Sequence, residues 1–176
     1  AVFPPALTVA FLQALGAQCR YAMHPPKKMT GADKQPERGV YRMHTTNYSN
    51  TFIEVADDCK AEAGTVPPEK AERTIAQIQY ELISRNPYKF TSDDVIFAAY
   101  AEKNKIDASR LAEERAKFFS KGQPCLRASP LGKTYGWGVH ANEASKIAIF
   151  GKGSKEYKKL STEKAVKHLK AMKSAR

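Results

Sequence analysis

The sequence is poor in the residues that small proteins use to staple or arm themselves. Its three cysteines, Cys19, Cys59 and Cys125, are odd in number and far apart, which does not describe a disulfide framework. They fit a reducing, cytoplasmic setting. No apolar run reaches the roughly 20 residues of a bilayer span, so a soluble chain without a membrane partner is expected. The four histidines, His24, His44, His140 and His168, stand at no zinc-site spacing, and no metal or other cofactor is expected. A phosphate loop and a dinucleotide fingerprint are both missing. "GKGSK" at 151–155 is too short and wrongly spaced for the former.

Positive charge, in contrast, is in excess. The net charge is +11, and its position is informative: +4 in residues 1–42, zero in 43–151 and +7 in 152–176. A dedicated nucleic-acid domain spreads basic residues across its folded face. Here the middle is neutral and the ends carry the charge. Basic ends can still attract phosphates in a salt-dependent way, and Lys158, Lys159, Lys167, Lys170 and Lys173 are the candidate contacts.

Residues 1–42 differ from the rest. "AVFPPALTVAFLQALGAQCR" is apolar without a preceding basic segment, and "MHPPKKMTGADKQPERG" is rich in Pro, Gly and Lys. We expect 1–42 to be a disordered or upstream extension, with a targeting peptide as the alternative. The part that reads as a domain opens at Met43. Ile53 and Val55 alternate with Thr51, Glu54 and Ala56, apart from Phe52, and give a strand over 51–56. Pro68 suits the first turn of a helix, and Ile75, Ile78, Leu82 and Ile83 continue it to residue 85, before Asn86-Pro87. Thr91 and Asp94 have the spacing of a capping box for a second helix, so the Asp93-Asp94 pair reads as capping, not as a metal or catalytic pair. A third helix spans about 109–120 and ends at Lys121-Gly122. Forcing the last two into a helix-turn-helix would set Glu113 and Glu114 against phosphate.

The stretch "GQPCLRASPLGKTYGWGVH" (122–140) holds the most chemistry. Its alternation reads as two strands, 124–129 and 135–140, with a third at 146–150. With a loop centred on Gly132-Lys133, Leu126 faces Val139 and Ala128 faces Trp137 on an apolar side. Cys125 then opposes His140, Arg127 opposes Gly138, and Ser129 opposes Gly136 on a polar side; a slip of one residue would undo every pair. Glycines weaken a strand unless something approaches the backbone closely. Three readings follow. The hairpin is only half-buried structure, or Cys125, Arg127, Ser129 and His140, with Trp137 as packing support, form a platform for a small anion anchored by Arg127. In the third, Cys125 is a nucleophile beside His140, although no third orienting group is evident.

The last segment, 152–176, gives a short turn capped by Ser154. A basic amphipathic helix follows, in which Val166, Leu169 and Met172 share a side. Together, the expected fold is α+β. A four-stranded, mainly antiparallel sheet (51–56, 124–129, 135–140, 146–150) carries three helices on one face and ends in a basic helical tail. The domain is 43–151, with 152–176 belonging to it.

"MHTTNYSNTFIEVADDC", "PPEKAERTIAQIQYELISRNPYKFTSDDVIFA" and "GQPCLRASPLGKTYGWGVH" together resemble a microbial family catalogued as domain-of-unknown-function family 6157. The resemblance spans about 43–176 and implies a small stand-alone protein beginning at Met43. It carries no activity, cofactor or catalytic residue with it.

Overall fold

The computed structural model describes residues 43–174. The expectation for 1–42 lies outside the described residues. In chain order the elements are β1 (Thr51–Glu54), α1 (Ile75–Arg85), α2 (Ser92–Lys103), α3 (Leu111–Phe119), α4 (Pro130–Lys133), β2 (Trp137–Ala141), β3 (Ile147–Gly151), α5 (Lys155–Thr162) and β4 (Lys167–Lys170). The fold is α+β around one four-stranded mixed sheet of order β3-β2-β1-β4. β2 is antiparallel to both β1 and β3, while β4 runs parallel to β1.

Helix starts follow local chemistry. Thr91 accepts from the Asp94 amide at 3.2 Å, and the Asp94 carboxylate accepts from the Thr91 amide at 2.9 Å. Thr74 and Gln77 close the same reciprocal pair at α1. Side-chain alternation sends Ile53 of β1 and Val139 and Ala141 of β2 toward the helices. There they join Ile147, Ile78, Leu82, Ile83, Val95, Ala98 and Ala99 in one buried cluster. A smaller cluster of Phe97, Ala101, Leu111 and Phe119 holds α3 against α2. Arg115 stands over the Phe97 and Phe119 rings at 5.5 and 5.4 Å and pairs with Asp94 at 2.9 Å. Its guanidinium is therefore part of the packing.

The opposite face of the sheet is also covered. Phe52 has no exposed surface, and the Tyr157 ring of α5 meets it edge-on at 5.1 Å. The Tyr157 hydroxyl accepts from the Val55 amide at 3.0 Å. Gly138 permits this contact, because a Cβ there would lie 2.7 Å from both rings. Gly136, at φ +71°, lies under the Ala63 carbonyl, which a Cβ would meet at 2.5 Å. The close approach that these glycines signalled comes from the protein itself.

Two expected elements differ. Residues 124–129 are not a strand: Leu126–Ala128 is a 3₁₀ turn, and Ser129 caps α4 with Pro130 in its first turn. A Ser-Pro helix start outweighs a short alternation, and proline offers no amide to a ladder. The 125–140 hairpin and its cross-strand pairs are therefore absent. The fourth strand comes instead from the basic tail. α5 fulfils the Ser154-capped turn, but the helix expected around 166–172 is β4, with the Ala171 amide bonded to the Glu54 carbonyl at 2.8 Å. α1, α2 and α3 correspond to the three expected helices, but α1 begins at Ile75 behind its Thr74 cap and not in a first turn at Pro68, and Ile75 itself is exposed; α5 covers the other face of the sheet.

The segment before β1 is anchored by Asp93. Its buried carboxylate accepts from Thr45 Oγ1 at 2.8 Å, from the Thr46 amide and hydroxyl at 2.7 Å each, and from Asn47 Nδ2 at 3.0 Å. Its own amide donates to Asn47 Oδ1 at 3.0 Å. Asp94 caps as expected; Asp93 instead holds another segment.

Asp93→Asn should destabilise the fold by about 3 kcal/mol in urea titration, since a charged acceptor with several buried donors is replaced by an amide that competes with them. Gly138→Ala should cost about 1–3 kcal/mol through overpacking against Phe52 and Tyr157. Gly122→Ala, where a Cβ meets nothing within 4 Å, should leave the midpoint in place.

Candidate functional site

The 3₁₀ turn after Pro124 puts Cys125 and Arg127 on one short, half-buried segment. The Tyr48 hydroxyl lies 3.4 Å from Cys125 Sγ. Arg127 Nε donates to the Lys170 carbonyl at 2.8 Å, and the Arg127 carbonyl accepts from the Met172 amide at 2.8 Å. The turn is thus clamped to the end of β4. Hydrogen bonding to Cys125, then burial, raises the Tyr48 phenol above its ordinary range, and the nearby Arg127 guanidinium acts in the opposite direction. Tyr48, Cys125 and Arg127 form one polar cluster. Among the described residues no carboxylate forms an ion pair with Arg127.

The other expected site residues are elsewhere. Ser129 is buried, donates to Gln79 Oε1 at 2.6 Å and caps α4. Trp137 Nε1 donates to the Thr65 carbonyl at 2.8 Å, and its ring lies 5.2 Å from Tyr80. It borders a shallow depression with Phe150, Lys152 and Ser154. His140 lies across from Phe52 and Ala148 in the sheet, and its Nδ1 meets the Tyr88 hydroxyl at 2.8 Å. No hydrogen bond joins His140 to Cys125, and the pairing that would have set them opposite each other does not form. The structure therefore keeps Cys125 with Arg127 on one turn, directs the Ser129 hydroxyl at the end of that turn to Gln79, and gives Trp137 and His140 the partners Thr65 and Tyr88.

The candidate phosphate contacts are distributed too. Lys158 and Lys159 are exposed on α5, and Lys167 is exposed on β4. Lys170 pairs with Asp57, an attraction that raises the lysine and lowers the carboxylate. Lys173 follows β4 and is exposed. Among the described residues there is no group of three His, Cys, Asp or Glu arranged for a metal, and no helix long and apolar enough to cross a membrane.

Sequence reasoning missed Tyr48 and Tyr88. Tyr48 lies within the "MHTTNYSN" motif, but only the fold brings it to Cys125. Tyr88 has φ +57°, a left-handed conformation just after Asn86-Pro87. Its amide donates to the Ile147 carbonyl at 2.8 Å on the edge of β3, which directs its ring onto His140.

An α+β domain with a mixed sheet covered on both faces and one small polar cluster is the class that these features define. The model of the family of unknown function DUF6157 matches residues 43–176, and the chain belongs to that family. No curated protein and no solved structure matches it.

Burial lowers the His140 imidazole below its ordinary value of 6.5. Protonation then favours the unfolded chain, so the stability associated with neutral His140 is present above pH 6.5 and is lost as pH falls toward the depressed folded value. Urea midpoints measured from neutral to mildly acidic pH should decline in the native protein, and His140→Gln should flatten that part of the profile.

Proposed function

We propose that the protein is a non-catalytic binder of a small anionic ligand, with Arg127 as anchor and Tyr48 and Cys125 beside it. The observation that carries this reading is the state of Arg127. Its Nε is fixed by a backbone carbonyl, while its charge is left without a carboxylate. Arg73, Arg110 and Arg115 are each neutralised by acidic side chains. Arg85, also without an ion pair among the described residues, is exposed in the last turn of α1 and has no hydrogen bond there to fix its side chain. A guanidinium pre-oriented in this way can receive a carboxylate or phosphate group in bidentate geometry. The Tyr48 hydroxyl adds a donor, since a phenol is protonated at neutral pH. Ser129, Trp137 and His140 drop out of the ligand set, since each already has an internal role.

The hairpin reading of Cys125 as a nucleophile drew on His140 as base and on Arg127 as the neighbouring positive charge, and of these two only Arg127 remains in the same cluster. The observed neighbours of Cys125 are a phenol and a guanidinium, an arrangement better suited to holding an anion than to taking up a proton.

Thermal unfolding of the full chain in phosphate, sulfate, acetate, citrate and nucleotides tests the proposal. A ligand at about 100 times its dissociation constant should stabilise by about 2.7 kcal/mol. Arg127→Ala should abolish the shift. Tyr48→Phe, which keeps the ring, should reduce it without removing it. A shift unaffected by Arg127→Ala, or none with any anion, would overturn the assignment.

A further inference from the structure

α5 carries a stripe of uncompensated positive charge. Lys155, Lys158 and Lys159 are exposed, and their spacing, continued by Thr162, places them along one side of the helix. Tyr157 and Leu160 are half-buried on the side toward the sheet. Glu156, also exposed, falls on the flank of the stripe. Lys164, in the turn before β4, is exposed as well. None of these four lysines forms a salt bridge among the described residues. On β4, Lys170 is paired with Asp57 and His168 lies 3.3 Å from Glu54, while Lys167 is exposed without an ion pair among the described residues.

We propose that this face of α5, with Lys164, binds the phosphate backbone of duplex nucleic acid. The chemistry favours that partner over two others. An interfacial membrane helix needs a free apolar side to insert, and the apolar side of α5 is already packed, with Tyr157 against Phe52. A protein interface needs buried aromatic or aliphatic anchors, and the stripe offers none. Binding a phosphate backbone needs only fixed cations, and lysine supplies point charges that read no base edge. Binding should therefore be independent of sequence and strongly salt-dependent. The surface is pre-formed, since α5 lies in the chain between two sheet strands and is held by the Tyr157 hydroxyl on the Val55 amide. It uses none of the residues of the Arg127 cluster and does not depend on the ligand proposed there.

Deleting the basic segment would be a poor test, because it removes β4 from the sheet. Substitution keeps the fold. Fluorescence anisotropy of a labelled short duplex DNA with the full chain, between about 50 and about 200 mM salt, should show a steep negative dependence of log affinity on log salt. Lys155→Gln, Lys158→Gln and Lys159→Gln together should reduce that slope by about 0.9 for each phosphate that is no longer neutralised. A control triple around α3, Lys105→Gln, Lys117→Gln and Lys121→Gln, changes net charge equally and should leave the slope in place. The proposal fails if the duplex does not bind at low salt, or if both triples alter the slope alike. It also fails if phosphatidylserine vesicles retain the protein more strongly than the duplex at equal salt.

Discussion

The buried carboxylate of Asp93 takes four hydrogen bonds from Thr45, Thr46 and Asn47, and the path of the chain into β1 is set there. Segments that precede a first strand are commonly loose. This one is tied to the start of α2, where the helix dipole also favours a negative group. β1 follows directly and lies between β2 and β4, so its entry bears on both pairings. Tyr48 is the next residue after the tether, and it reaches Cys125 from there. The sheet and the candidate site thus share one anchor, which contacts neither.

Much of the fold was legible in local chemistry. Thr91 with Asp94 announced α2, and Ile53, Ile147 and Ile149 marked strands by their alternation. Two segments were misread for definable reasons. Cys125 to Ser129 alternate well enough to suggest a strand, but Ser129-Pro130 is a helix start, and that local signal prevailed. In the tail, Val166, Leu169 and Met172 suggest a helical side. The pattern that matters is Leu169 with the buried Ala171, two residues apart, amid lysines that suit an exposed sheet edge. The candidate site was half legible. Cys125 and Arg127 are close in sequence and remain together in the turn. Tyr48 joins them from 77 positions away, a distance that no local pattern spans.

Charge is handled differently in different parts of the molecule. Around the helices, Arg73 joins Glu81 and Glu102, Lys103 joins Glu72, and Arg115 joins Asp94. The Arg115–Asp94 pair is mostly buried and belongs to the packing, whereas the more exposed Lys103–Glu72 pair adds little stability and chiefly neutralises the surface. Arg127 and the outward lysines of α5 escape this pattern. The first is a single oriented guanidinium on a clamped turn, suited to one small anion. The second is a row of ammonium groups on flexible stems, suited to an extended polyanion. Trp137, which looked like part of a ligand platform, instead secures the 61–65 loop through the Thr65 carbonyl, beside Gly64, where a Cβ would lie 3.0 Å from its ring.

The parallel pairing of Thr51 with Lys167 has a kinetic consequence. β1 is the earliest strand in the described chain and lies inside the sheet, yet both of its neighbours are made long after it. Closing such distant pairings costs chain entropy before any contact rewards it, so folding should be slow for a domain of this size. A nascent chain that ends before β4 would expose one side of β1, with its apolar residues Phe52 and Ile53, as an open template for strand addition. Slow or interrupted translation of the lysine-rich segment that holds β4 therefore leaves this domain exposed to aggregation.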